Sequence, residues 1–205
     1  DPGTNLENFA KENGIKFFNI PKNVGGRFSV LSAIGLVPLG ICGYDIKALL
    51  DGALACKKQY IEQKDSSIVA KAYHYVQLWA ESLGKKRGYK RVGLTPVGLV
   101  GSRDQHSFLQ LIMDGVKDKS VTFIKIKDHA SDKTIPSLSL KGLEECDFVV
   151  GLSLNELINL QCDATAMALV QEGISVDTIT LERLDEFHAG WLIFYYELLT
   201  SATGI

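Results

Sequence analysis

The chain has 205 residues and a mass of 22.5 kDa, room for one domain of ordinary size with a sizeable core. Apolar residues make up 46% and charged residues 22%, average values that speak against general disorder. Lys and Arg number 22 against 24 Asp and Glu, a formal charge of −2 that gives no electrostatic footprint for nucleic acid or an anionic membrane.

Asp1-Pro2-Gly3 shows no basic stretch leading into an apolar one, so no signal peptide is expected. Thr4-Asn5-Leu6-Glu7 is a capping-box pattern and predicts a short helix to about Asn13, with Gly14 as its C′ residue. Ile15 to Ile20 (IKFFNI) is a compact β-rich run, followed by a loop from Pro21 to Gly26. A helix is predicted from about Ser29 to Val37, where Pro38 should stop or kink it. It lies in the longest uncharged run, Phe28 to Tyr44, which is shorter than the ~20 residues of a spanning helix and reads as a buried core segment. Asp45 caps another helix, with Ile46, Leu49, Leu50, Ala53 and Leu54 on one face. Ser66 or Ser67 opens a further one that reaches Leu83 and ends at Gly84.

Arg91 to Val100 reads as extended structure broken by Pro96. Ser102 to Gly115 reads as a helix with Phe108, Leu109, Ile112 and Met113 inward. Val121 to Lys127 alternates like a half-buried strand, and Phe148 to Leu152 is another apolar run. Leu154 to Glu172 is a long helix closed by Gly173, Ile174 to Leu181 is β-like, and Leu184 to Thr200 is helical. Strands alternating with helices predict an α/β fold, a three-layer sandwich with a mostly parallel sheet flanked by helices. No repeat, charge block or linker stands out, so residues 1–205 read as a single domain. Cys42, Cys56, Cys146 and Cys162 lie in no metal-ligand spacing and read as buried, reduced thiols of a cytosolic protein, without a zinc site or disulfides.

Three stretches could carry chemistry. Val24-Gly25-Gly26-Arg27-Phe28-Ser29 lies between a predicted strand and a predicted helix, where open α/β sheets bind their ligands. The glycines would let a ligand approach, the helix start favours negative charge, and Arg27 adds a planar cationic fork. A Gly-Gly turn beside a surface arginine fits the same pattern. Glu81, close to Trp79 near a helix end, could be a partly desolvated base, although a solvated helix-end carboxylate is the commoner case. His106 in Asp104-Gln105-His106-Ser107 falls in the first turn of a helix, where a neutral imidazole could pass a proton. The alternative is a capping Asp104 with an incidental histidine. His74 and His129 have no partner pattern, and His188 reads as a packed helix residue.

Together these residues resemble a known family. VGGRFSVLSAIGL is similar to the arginine-containing signature of the glucose-6-phosphate isomerases, ESLGK to their E-S-x-G-K segment, and GSRDQHSFLQLIMDG to their stretch ending in QHxFxQLIxxG. The order matches, and Cys162 to Thr165, Gly190 and the Tyr195-Tyr196-Glu197 helix also look like the short bacterial form. The resemblance implies a sugar-isomerase (SIS) domain, here the C-terminal half of a longer two-domain enzyme. It implies a cytoplasmic homodimer that interconverts glucose 6-phosphate and fructose 6-phosphate, in glycolysis and gluconeogenesis. It implies a sugar-phosphate substrate and no cofactor, metal, nucleic acid or membrane. By motif, Arg27 would stabilise the enediolate, Glu81 would move the proton between C1 and C2, and His106 would assist ring opening or proton handling. Gly25, Gly26 and Gln105 would line the sugar site. Long members carry a glutamate in a GEPG element where this chain has Val100-Gly101-Ser102-Arg103, and the short form gives the base role to Glu81. In the family a strand and its loops precede the W-x-E-S segment, so about 20 residues are expected to be missing between Tyr75 and Val76. The chain alone is expected to be inactive or nearly so. A non-catalytic sugar-phosphate-binding SIS module, and an isomerase acting also on mannose 6-phosphate, are the alternatives.

Overall fold

In a computed structural model, residues 3–65, 67–68, 85–87, 89–92, 97–131, 133–139, 141–142 and 144–203 are described. Contacts divide the chain into two units, Asp1–Tyr73 with Glu186–Ile205, and His74–Asp185.

The first unit is helical among its described residues. Helix α1 (Asn5–Glu12) starts as its capping pattern predicts: the Glu7 N–H donates to Thr4 Oγ1 at 3.3 Å. Glu7 in turn accepts from the Gly3 N–H and pairs with Lys11, which together hold its carboxyl below the usual range. Gly14 ends the segment at φ +64°, a conformation that glycine adopts without steric cost. The predicted strand over Ile15–Ile20 is absent, and these residues belong to no helix or ladder. A strand needs a partner, and the described residues offer this run none.

Helix α2 spans Ala33–Ile41, four residues later than predicted, after a 3₁₀ turn over Gly26–Phe28. Ser32 takes the N-cap position, while Ser29 closes the 3₁₀ turn, its backbone N–H and its hydroxyl both donating to Gly26 O. Pro38 therefore lies inside the helix rather than at its end. The expectation of a buried segment over Phe28–Tyr44 also fails. Ser29 is its only buried residue, and Ile41 is 81% exposed.

Helix α3 (Ile46–Lys57) is capped by Asp45, whose Oδ1 accepts from the Ala48 N–H at 2.9 Å. It runs on into a π-helical turn, Lys58–Glu62. Helix α6 (Glu186–Thr203) packs along α3. The contact is made at glycines. A Cβ on Gly52 would lie 1.8 Å from Phe187 O, and one on Gly190 would lie 1.8 Å from Leu49 O. The buried face of α3 is thus Leu49, Gly52, Ala53 and Cys56, while Leu50 and Leu54 are exposed. Tyr60, Trp191 and Tyr195 close one end, with the Trp191 and Tyr195 rings stacked at 5.0 Å. Burial pushes the Cys56 thiol up to about 12, so it stays protonated. Cys162 is half-buried, and Cys42 and Cys146 are exposed rather than buried as predicted.

The second unit carries the parallel sheet. A short antiparallel hairpin pairs β1 (Lys85–Arg87) with β2 (Lys90–Val92). Helix α4 spans Gln105–Met113. Strand β3 (Ser120–Asp128) pairs in parallel with β4 (Ser175–Arg183), from Ser120 opposite Ser175 to Asp128 opposite Arg183. Helix α5 (Leu154–Gln171) crosses between them, as a parallel pair requires. Its start is a full capping box: Glu156 N–H donates to Ser153 Oγ, and the Ser153 N–H donates to Glu156. Ile112, Leu169 and Ile174 form the core, with Leu109, Met113, Val121, Phe123 and Val176 packed against it. Ile179 and Leu181 are buried on the other face of the sheet. Phe148–Leu152 forms no strand; Phe148 lies in a 3₁₀ turn, Glu144–Val149, and is exposed. The α/β class with a parallel sheet flanked by helices stands as predicted.

Candidate active site

Gly26 and Arg27 lie in the 3₁₀ turn of the first unit, and Gly25 is its N-cap. Gly25 has φ −68° and ψ 152°, angles open to any residue. A Cβ on Gly25 would meet only Phe28 Cδ2 at 4.0 Å, and one on Gly26 would meet nothing within 4 Å. Neither glycine is required by the described residues, so their bare backbone leaves room for another group to approach. The turn itself is tied down: Phe28 N–H donates to Gly25 O at 2.9 Å, and Ser32 Oγ donates to Ser29 O at 2.6 Å. The predicted geometry, a strand leading through the glycines into a helix start, is corrected on both sides. No strand precedes the loop, and α2 begins six residues after Arg27.

Gln105 and His106 are the first two residues of α4 in the second unit; Gln105 is half-buried and His106 exposed. Asp104 holds the N-cap position but its side chain does not cap the helix. It turns back, accepting from the Val100 N–H at 2.7 Å and from Arg103 at 2.9 and 3.2 Å. The guanidinium of Arg103, followed by the Val100 N–H, holds the Asp104 carboxyl below its ordinary value. The helix start is consequently preceded by a neutralised ion pair rather than a capping carboxylate. Sequence reasoning passes over Arg103; its adjacency to Asp104 in GSRDQH is the signal that marks it.

Glu81 lies outside the described residues, as do His74, Trp79 and the expected break between Tyr75 and Val76. His129 follows β3, its N–H held by Asn155 Oδ1 at 2.9 Å, and His188 is half-buried beside the Phe187 ring. Asn155 and Asn159 both donate to Lys127 O, tying α5 to the carboxyl end of β3. Among the described residues no group of three His, Cys, Asp or Glu could hold a metal ion. None of the described helices is long and apolar enough to cross a membrane.

No family model matches the chain. Individual relatives do. Glucose-6-phosphate isomerase of Campylobacter jejuni is 51% identical over 230 positions, covering 100% of this chain and 56% of the relative. The chain is similar to glucose-6-phosphate isomerases along its whole length. The enzyme of the same name from Rubrobacter xylanophilus is 36% identical, covering 97% of this chain and 52% of the relative. That from Thermus thermophilus is 33% identical, covering 97% and 54%. A solved structure, a hypothetical protein from Thermus thermophilus, superposes with a TM-score of 0.80 at 32% identity, covering 98% of this chain and 54% of that one. The chain spans about half the length of the curated isomerases it matches.

Proposed function

We propose that this chain is the C-terminal, SIS-type part of a longer two-domain glucose-6-phosphate isomerase. The observation that carries this reading is the 51% identity over the whole chain with the Campylobacter jejuni enzyme. The reaction is aldose–ketose isomerisation through a cis-enediol, in which a base carries a proton between C1 and C2. Glu81 is that base. Arg27 stabilises the negative charge that grows on the enediolate oxygen; a fixed cation aimed at developing charge is a strong catalytic term. His106 handles protons during ring opening, and Gln105, Gly25 and Gly26 line the sugar. The open space around both glycines supports that role. The whole enzyme is a cytoplasmic homodimer acting in glycolysis and gluconeogenesis. The relatives' names favour glucose 6-phosphate over the dual phosphomannose reading.

We further propose that the relatives carry a strand and its loops between positions 75 and 76 of this chain. In support, the alignment with the Campylobacter enzyme runs over 230 positions against 205 residues here, leaving 25 positions that face no residue of this chain.

The test is a coupled assay of the full-length gene product with fructose 6-phosphate, following glucose 6-phosphate. Wild type should turn over, and Arg27→Ala should lower kcat about 10²–10³-fold, the loss expected for one charge-stabilising donor. The 205-residue chain alone should be inactive or nearly so. A silent full-length protein that still binds the sugar phosphate would overturn the enzymatic reading in favour of a binding module. Turnover by this chain alone near the full-length rate would overturn the claim that it is only part of the enzyme.

A further inference from the structure

The Ile15–Ile20 run carries the composition of a strand and has none of its surroundings. Its apolar residues fall on both faces: Ile15 and Phe17 on one, Phe18 and Ile20 on the other. That near-continuous pattern belongs to a strand covered on both sides in a parallel sheet, not to an edge with one wet face. Here Ile15 is 51% exposed and Phe18 56% exposed. None of the N–H groups of residues 16–20 is hydrogen-bonded to another described backbone group. Between this run and α1 lies an apolar groove of about 330 Å³, lined by Leu6, Phe9, Ala10, Ile15, Phe17 and Phe18. Leu6 is 78% exposed at its rim. Lys11 Nζ stands 5.8 Å from the Phe17 centroid and Lys16 Nζ 5.6 Å from that of Phe18, and Glu7, paired with Lys11, also lines the groove.

Burying these rings without pairing the backbone would strand five consecutive N–H groups, each costly away from water. The cover must therefore bring hydrogen-bonding strands as well as apolar side chains. A second copy of this run, paired across a two-fold axis, would supply one neighbour and leave the other edge bare. A sheet supplies both. The relatives hold enough chain for one, because this chain spans 56% of the Campylobacter enzyme and 54% of the solved Thermus structure.

We propose that residues 15–20 enter a sheet formed by the half of the enzyme that this chain does not span, and that the groove beside α1 receives that half's apolar residues. The inference rests on reading the chain as part of a two-domain isomerase. The test is hydrogen exchange at residues 16–20, read by mass spectrometry in the full-length gene product and in the 205-residue chain. The amides should exchange at unprotected rates in the chain alone and at least ~100-fold more slowly in the full-length enzyme. Phe18→Asp in the full-length enzyme should return them toward the fast rate while β3 and β4 stay protected. If the full-length protein isomerises fructose 6-phosphate yet these amides exchange as fast as in the chain alone, the inference fails and the isomerase reading stands. Protection that appears in the chain alone and grows with its concentration would assign the surface to a second copy instead, overturning the inference. A gene product no longer than this chain would overturn both.

Discussion

Gly52 and Gly190 are demanded by distance, not by backbone angle. Each meets a carbonyl of the opposing helix where a Cβ would stand at 1.8 Å. Propensity alone would make Gly→Ala in a helix favourable by about 1 kcal/mol; the carbonyl reverses the sign. Gly52→Ala and Gly190→Ala should each destabilise by about 3 kcal/mol or more in a urea titration, because neither backbone can yield without parting α3 from α6. The double variant should cost less than the sum, since either methyl forces the same separation. Glu197 on α6 gives a pH prediction. One of its carboxylate oxygens is buried with no hydrogen-bond partner among the described residues, and burial raises its pKa above the ordinary 4.5. A carboxyl with a raised folded pKa binds its proton more tightly folded than unfolded, so stability falls as pH rises above 4.5. Glu197→Gln should therefore raise the melting temperature at pH 7, with the gain fading below about pH 4.5. An unchanged melting temperature at both pH values would show that the carboxylate finds a partner.

At the scale of elements, local signals were readable and non-local ones were not. Thr4, Asp45 and Ser153 mark their helix starts because a cap is a contact of two or three residues. Ser153→Ala should lower the stability of the second unit by about 1 kcal/mol, measured as a shift in the denaturation midpoint. Strand β3 was legible from its apolar alternation, β4 from its β-like run, and α5 between them from its length and its closing Gly173 at φ +76°. The Ile15–Ile20 run misleads for the opposite reason. Its side chains spell a strand, but a ladder depends on a partner that no local pattern supplies. The start of α2 slipped because Ser29 and Ser32 are equally plausible caps in sequence. The backbone decides between them: Ser32 is extended at φ −111° and ψ −176°, as an N-cap is, whereas Ser29 at φ −98° and ψ 0° closes the 3₁₀ turn. The α2 helix itself is apolar all round yet holds no buried residue.

For the molecule as a whole, the resemblance to glucose-6-phosphate isomerases was legible in three ordered motifs, and 51% identity over the full chain bears it out. The candidate residues are a cation, a carboxylate and an imidazole, the types that proton transfer through an enediolate calls for. Their surroundings were not legible, because Asp104 spends its carboxylate on Arg103 and Val100 rather than on the α4 cap, a choice that depends on loop conformation. The most direct measurement of the central claim is deuterium uptake into fructose 6-phosphate at C1, followed by NMR in D₂O with the full-length enzyme. With Glu81 as the base, Glu81→Gln should slow that uptake by about 10²–10⁴-fold while the sugar phosphate still binds. Uptake by Glu81→Gln at the wild-type rate would contradict it.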